Sequence, residues 1–200
     1  MKKLALLVCL FCLPLVSSAG INPYIKGNIG YNYMNLDTKG NYRIESSSLF
    51  KGNGYNLGLA LGNQFSDRFR GEISYSFIKT NASSDFDVRD ISGLLGTVLP
   101  PKVKQQIILL NGFYYPVKKM RINPFIGAGA GWGFLSKATY IDIKADGNNF
   151  AYALYLGVDY DITEKISLDI TGNYTSILAT SSYTKDLYNF GGTLGIRYSF

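Results

Sequence analysis

Histidine is absent from all 200 residues. That removes histidine-based triads, imidazole metal sites and the commonest general base. Cysteine is confined to Cys9 and Cys12, so the chain beyond residue 19 has neither disulfide nor thiolate chemistry. Neither cysteine follows a small residue (Val8 and Phe11 precede them), which suits lipoprotein processing poorly. Long apolar runs are missing after residue 16, and nothing there approaches the roughly 20 apolar residues of a membrane helix. No block of lysine or arginine occurs either, so nucleic-acid binding is not indicated.

The first nineteen residues read as a signal peptide. Lys2 and Lys3 precede a short apolar run over 4–16, and Ser17, Ser18 and Ala19 supply small residues at a cut after Ala19. The run is short for an uncleaved spanning helix. Residues 20–200 are then one domain, and losing Lys2 and Lys3 takes the formal charge from +6 to +4.

What the chain does have is glycine (22), tyrosine (16) and phenylalanine (12), arranged with a period of two. Over 187–200, Tyr188, Phe190, Gly192, Leu194, Ile196, Tyr198 and Phe200 share one parity. Asn189, Gly191, Thr193, Gly195, Arg197 and Ser199 share the other, which predicts a strand with one apolar and one polar face. Similar strands are predicted at 23–33, 53–62, 68–78, 102–115, 123–134, 150–160 and 166–174. The segment at 102–115 is apolar on both parities, so its faces stay unassigned. Four glycines on one parity of the 123–134 strand leave room for large side chains from other strands.

Polar connections at 34–52, 79–101, 135–149 and 175–186 are long, and those at 63–67, 116–120 and 161–165 are short. Alternation of long and short sorts them to opposite ends of an up-and-down barrel, with both termini at the short-turn end. The expected fold is all-β, an eight-stranded antiparallel up-and-down transmembrane β-barrel. Strands of about 9 to 11 residues cross the hydrocarbon when tilted. Aromatics near strand ends, among them Tyr33 with either Tyr24 or Ile25, Phe69, Trp132, Tyr174 and Tyr198, resemble two interfacial belts. A soluble eight-stranded lipid-binding calyx is the competing fold, and would turn its apolar parity inward.

The polar parity carries Lys26, Arg68, Arg70, Glu72, Asp159, Asp169 and Arg197. In a membrane barrel these face the lumen, as an ion-paired core or as the constriction of a small porin-like channel. Eight strands leave an interior that side chains can fill. Ser46, Ser181, Ser182 and the loop aspartates form no nucleophile-plus-base motif, and Gly127-x-Gly129-x-Gly131 is strand periodicity rather than a phosphate-binding turn. No catalytic site, metal or cofactor is expected. Binding is then expected in the loops, where acidic Asp85, Asp87 and Asp90 precede an apolar stretch with Leu94, Leu95 and Leu99.

The strand ending Leu110-Asn-Gly-Phe-Tyr-Tyr115, a short turn, and Asn123-Pro-Phe-Ile-Gly-Ala-Gly-Ala-Gly-Trp132 together resemble the OmpA-like, opacity-type family of outer-membrane β-barrels. The closing Arg197-Tyr-Ser-Phe200 is similar to the terminal signal read by the barrel assembly machinery, which would make Tyr198 and Phe200 its assembly residues. The resemblance implies an integral outer-membrane surface antigen of a Gram-negative bacterium, with periplasmic termini and long extracellular loops. It implies adhesin or envelope-stabilising roles rather than catalysis. Its implied partners are outer-membrane lipids, lipopolysaccharide and host surface or matrix proteins.

Overall fold

The computed structural model describes residues 22–38, 50–83, 102–117, 121–136, 149–178 and 184–200. The expected signal peptide lies outside them. Eight antiparallel strands follow in chain order: β1 (Asn22–Thr38), β2 (Phe50–Gln64), β3 (Phe69–Ser83), β4 (Lys102–Tyr114), β5 (Ile122–Ser136), β6 (Phe150–Asp161), β7 (Ile166–Leu178) and β8 (Thr184–Ser199). Each pairs with its sequence neighbours, and β8 returns to β1 through Ile25↔Tyr198 and Lys26↔Arg197 to close the barrel. Closure leaves no strand edge, so every backbone donor and acceptor can be met within the wall.

The apolar parity points outward. Leu59, Leu110, Leu156 and Ile196 are 60 to 68% exposed, as are neighbours such as Leu57 and Ile170 to a lesser degree. A band of aliphatic side chains right round a barrel would be a large penalty in water, at about 25 cal/mol per Å². In hydrocarbon it is the matched surface. Aromatics flank it. Tyr174 contacts Tyr152, Tyr188 and Phe190 at ring separations of 6.1, 6.1 and 4.8 Å near one end. Phe69 contacts Tyr114 at 5.2 Å near the other.

The structure settles β4. Val103, Gln105, Ile107, Leu109, Asn111 and Phe113 face inward and are buried, while Ile108 and Leu110 face out. Both parities are apolar because the inner one packs with Met34, Ile78, Ala151, Ala153, Ile177 and Leu187 in an apolar tier inside the barrel. The glycine face of β5 is filled from β4 and β7. A β-carbon at Gly127 would meet the Phe113 ring, one at Gly129 the Asn111 amide, and one at Gly133 the Ile177 side chain.

Three expectations need correction. Tyr24 is not in an outer belt. It lies on the inward parity, buried, with its hydroxyl donating to Glu72 Oε2 at 2.8 Å. The strands also run further toward the long-connection end than their polar residues suggested, up to 17 residues in β1. The connection between β7 and β8 accordingly shrinks to 179–183, because Ile177↔Leu187 and Ser176↔Tyr188 continue the ladder. Finally, Arg68 is outside β3. It is an exposed residue of the β2–β3 turn.

That turn has a twin. Phe65-Ser66-Asp67-Arg68-Phe69 and Ile162-Thr163-Glu164-Lys165-Ile166 share an apolar, hydroxyl, acid, base, apolar order. Ser66 Oγ accepts from the backbone of Arg68 and Phe69 at 3.3 and 3.2 Å. Thr163 Oγ1 accepts from Lys165 and Ile166 at 3.3 and 3.0 Å. The hydroxyl closes the turn, and the charged pair after it is left in solvent. Arg68 is the counterpart of Lys165.

Candidate functional site

The lumen is filled in tiers. Nearest the tight turns is a cluster of charge. Lys26, on β1, reaches Asp169 at 3.1 Å and Glu72 at 3.6 Å. Arg70, on β3, reaches across to Asp159 at 3.0 Å and Asp169 at 3.7 Å. Arg197, on β8, lies 2.8 Å from Asp159, 3.9 Å from Asp169 and 3.9 Å from Asp161. Asp161 is partly exposed, whereas Glu72, Asp159 and Asp169 are buried, so three buried carboxylates face three buried cations. Balance of this kind avoids the several kcal/mol that an unpaired buried ion costs.

Alternation puts the charges together. Lys26, Arg70, Glu72, Asp159, Asp169 and Arg197 each occupy the inward parity of their strand, so six of the seven residues expected in the lumen meet there. Arg68 does not join them. The loop residues Asp85, Asp87, Asp90, Leu94, Leu95 and Leu99 lie outside the described residues. Phe200 is exposed, edge-on to Tyr198 at 5.6 Å, and its backbone N–H donates to the Pro23 carbonyl at 3.1 Å.

Several partners could not be picked out from charge alone. The Arg70 guanidinium sits among four rings, 4.3 Å from the centre of Phe113, 5.2 Å from Phe125, 5.4 Å from Tyr115 and 5.7 Å from Tyr24. Such cation–π contacts strengthen when water is excluded. Tyr115 also donates its hydroxyl to Asp159. Asp161 accepts from Ser167 at 2.7 Å and Asn123 at 2.9 Å. Its spacing from Asp159, two residues along one strand, was the available signal.

Above the charges is a small cavity of about 50 Å³, lined in part by Lys26, Glu72, Ser74, Thr171 and Thr193. Ile107, Leu109 and Phe113 also line it, so its wall is mixed, with polar groups enough to hold a few waters. Beyond it comes the apolar tier, with Ile107, Ile177 and Met34 almost fully buried. Gln105 and Asn189 exchange amide hydrogen bonds across it at 2.9 and 3.3 Å. The charged groups are occupied with one another, and among the described residues no group of three or more acidic, histidine or cysteine side chains is placed to hold a metal. This is an arrangement that neutralises and fills.

The family described as "outer membrane protein beta-barrel domain" matches residues 4–200. An uncharacterized protein of Brucella abortus (strain 2308) is 22% identical over 214 residues, spanning 86% of this chain and 74% of its own. Neisserial surface protein A superposes with a TM-score of 0.62 at 16% identity, covering 89% of this chain and 97% of that one. The outer membrane protein OprG of Pseudomonas aeruginosa superposes with a TM-score of 0.54 at 17% identity, covering 90% and 95%. At these identities the likeness is one of fold.

Proposed function

We propose, for a chain that belongs to the outer membrane protein β-barrel domain family, that it is a non-conducting, non-catalytic surface protein of the bacterial outer membrane. It contacts host surface or matrix components through the connections at its long-loop end. The observation that carries this is the filled lumen. Among the described residues an ion-paired tier lies below and an apolar tier above, which supports a filled rather than a conducting interior. The activity is therefore assigned to the surface, where binding segments on a rigid scaffold usually sit.

In this reading the tight turns and both strand termini face the periplasm, and the connections 39–49, 84–101, 137–148 and 179–183 face outward. The expected contact surface is 85–99, where acidic and apolar residues adjoin. The test is attachment of whole cells, with and without the protein, to immobilised extracellular-matrix components. Deleting 85–99 from the otherwise intact barrel should abolish the difference. Attachment unchanged by that deletion would reject the segment as the contact surface.

A further inference from the structure

Among the described side chains, charge on the outer wall falls in one place. Among the described side chains of the outward parity, Lys79 and Lys104 are the only charged ones. They stand directly opposite each other in the β3–β4 ladder. Like charges in that relationship repel. Among the described residues neither has a carboxylate partner, and the one contact of this pair is Lys79 Nζ over the Tyr55 ring at 5.7 Å.

Position along the wall defines what could neutralise them. One step toward the barrel middle is Phe77 opposite Gln106, then Tyr75 opposite Ile108, then Ile73 opposite Leu110. Tyr75 donates its hydroxyl to Gln106 at 3.2 Å, capping the apolar band just below the lysines. The lysines therefore lie at the level where lipid headgroups meet hydrocarbon, on the side away from the tight turns. Elsewhere the aromatic belt of that end is neutral, with Tyr152, Tyr174, Tyr188 and Phe190 on β6 to β8. A ligand that pairs with two ammonium groups at this depth needs an anionic head and acyl chains beneath it.

We infer that Lys79 and Lys104 form a binding site for the phosphate of an acylated, phosphorylated glycolipid, the chemistry of the lipid anchor of lipopolysaccharide. Tyr55, Phe77 and Ile108 receive its upper chain segments. The site rests on the reading that the long-loop end faces the cell exterior, where such a glycolipid forms the outer leaflet.

The test uses the full-length mature protein folded in detergent and incubated with bisphosphorylated lipid A, with retained lipid counted by native mass spectrometry. Lys79→Gln/Lys104→Gln should lower retention about 25-fold, taking each lysine near an anionic lipid surface as worth about fivefold. Lys79→Arg/Lys104→Arg should retain it. Lipid A stripped of phosphate should not be held by the native protein, and millimolar inorganic phosphate should not displace the phosphorylated lipid. Equal retention by the folded double-glutamine variant, equal retention of the stripped lipid, or displacement by phosphate would each overturn the site. Orientation is tested separately, since the mature chain lacks cysteine. Ser92→Cys should react with a membrane-impermeant maleimide on intact cells. Failure to react would overturn the orientation, and with it the choice of this glycolipid. Reaction together with lysine-independent retention would reject the site alone.

Discussion

Asp159 stands directly opposite Asp169 in the β6–β7 ladder, both on the lumen side. Facing carboxylates repel, and the pair persists because three cations converge on it from other strands. Arg70 and Arg197 come within 3.0 and 2.8 Å of Asp159, and Lys26 within 3.1 Å of Asp169. The charge core is thus built from β1, β3, β6, β7 and β8 at once, and no two adjacent strands could assemble it.

Asp159→Ala should therefore be costly. It strips Arg70 and Arg197 of their nearest carboxylate, and an uncompensated buried charge costs about 3–5 kcal/mol. Urea titration of the barrel in lipid vesicles, read by gel mobility with and without heating, gives the midpoint. Arg68→Ala, in the exposed turn, should change stability by less than about 0.5 kcal/mol.

Glycine substitutions should divide by what their β-carbon meets. At Gly131 it would stand 2.0 Å from the Ile108 carbonyl oxygen, which is backbone and cannot swing aside. Gly131→Ala should destabilise by about 1–3 kcal/mol through forced separation of β4 and β5. At Gly112 no atom lies within 4 Å, so Gly112→Ala should be neutral or stabilising by up to about 1 kcal/mol. The same urea titration checks both.

Planar-bilayer recording of the purified protein should show no discrete conductance steps. The small cavity of about 50 Å³ is flanked below by ion pairs and above by the apolar tier. Regular unitary steps in the native protein would contradict a filled lumen.

Phe200→Ser should lower the amount of folded barrel in the outer membrane several-fold while leaving refolding into vesicles near normal. The ring is 69% exposed and touches Tyr198 at its edge, so it adds little to the folded wall. Cell fractionation against in vitro refolding separates recognition during assembly from stability. Equal losses in both would assign Phe200 to stability instead.

The barrel was legible because period-two alternation acts locally. Strand number and the two parities of β1 to β3 and β5 to β8 follow from which residues alternate, and the sorting of long and short connections favoured the membrane barrel over a soluble calyx. Alternation also nominated Lys26, Arg70, Glu72, Asp159, Asp169 and Arg197. It failed at Arg68, where parity continued past the strand into a hydroxyl-capped turn. At Tyr24 it was aromatic character, not alternation, that suggested a lipid interface.

By itself, then, the sequence determined the strand order and six of the inward charges, because both depend on neighbours along one strand. Only the tertiary structure decided the faces of β4, the aromatic cage around Arg70 and the division of the lumen into charged and apolar tiers. Those depend on which residues of non-adjacent strands share a height. Height is set by the stagger of a closed ladder, and no single strand carries that information.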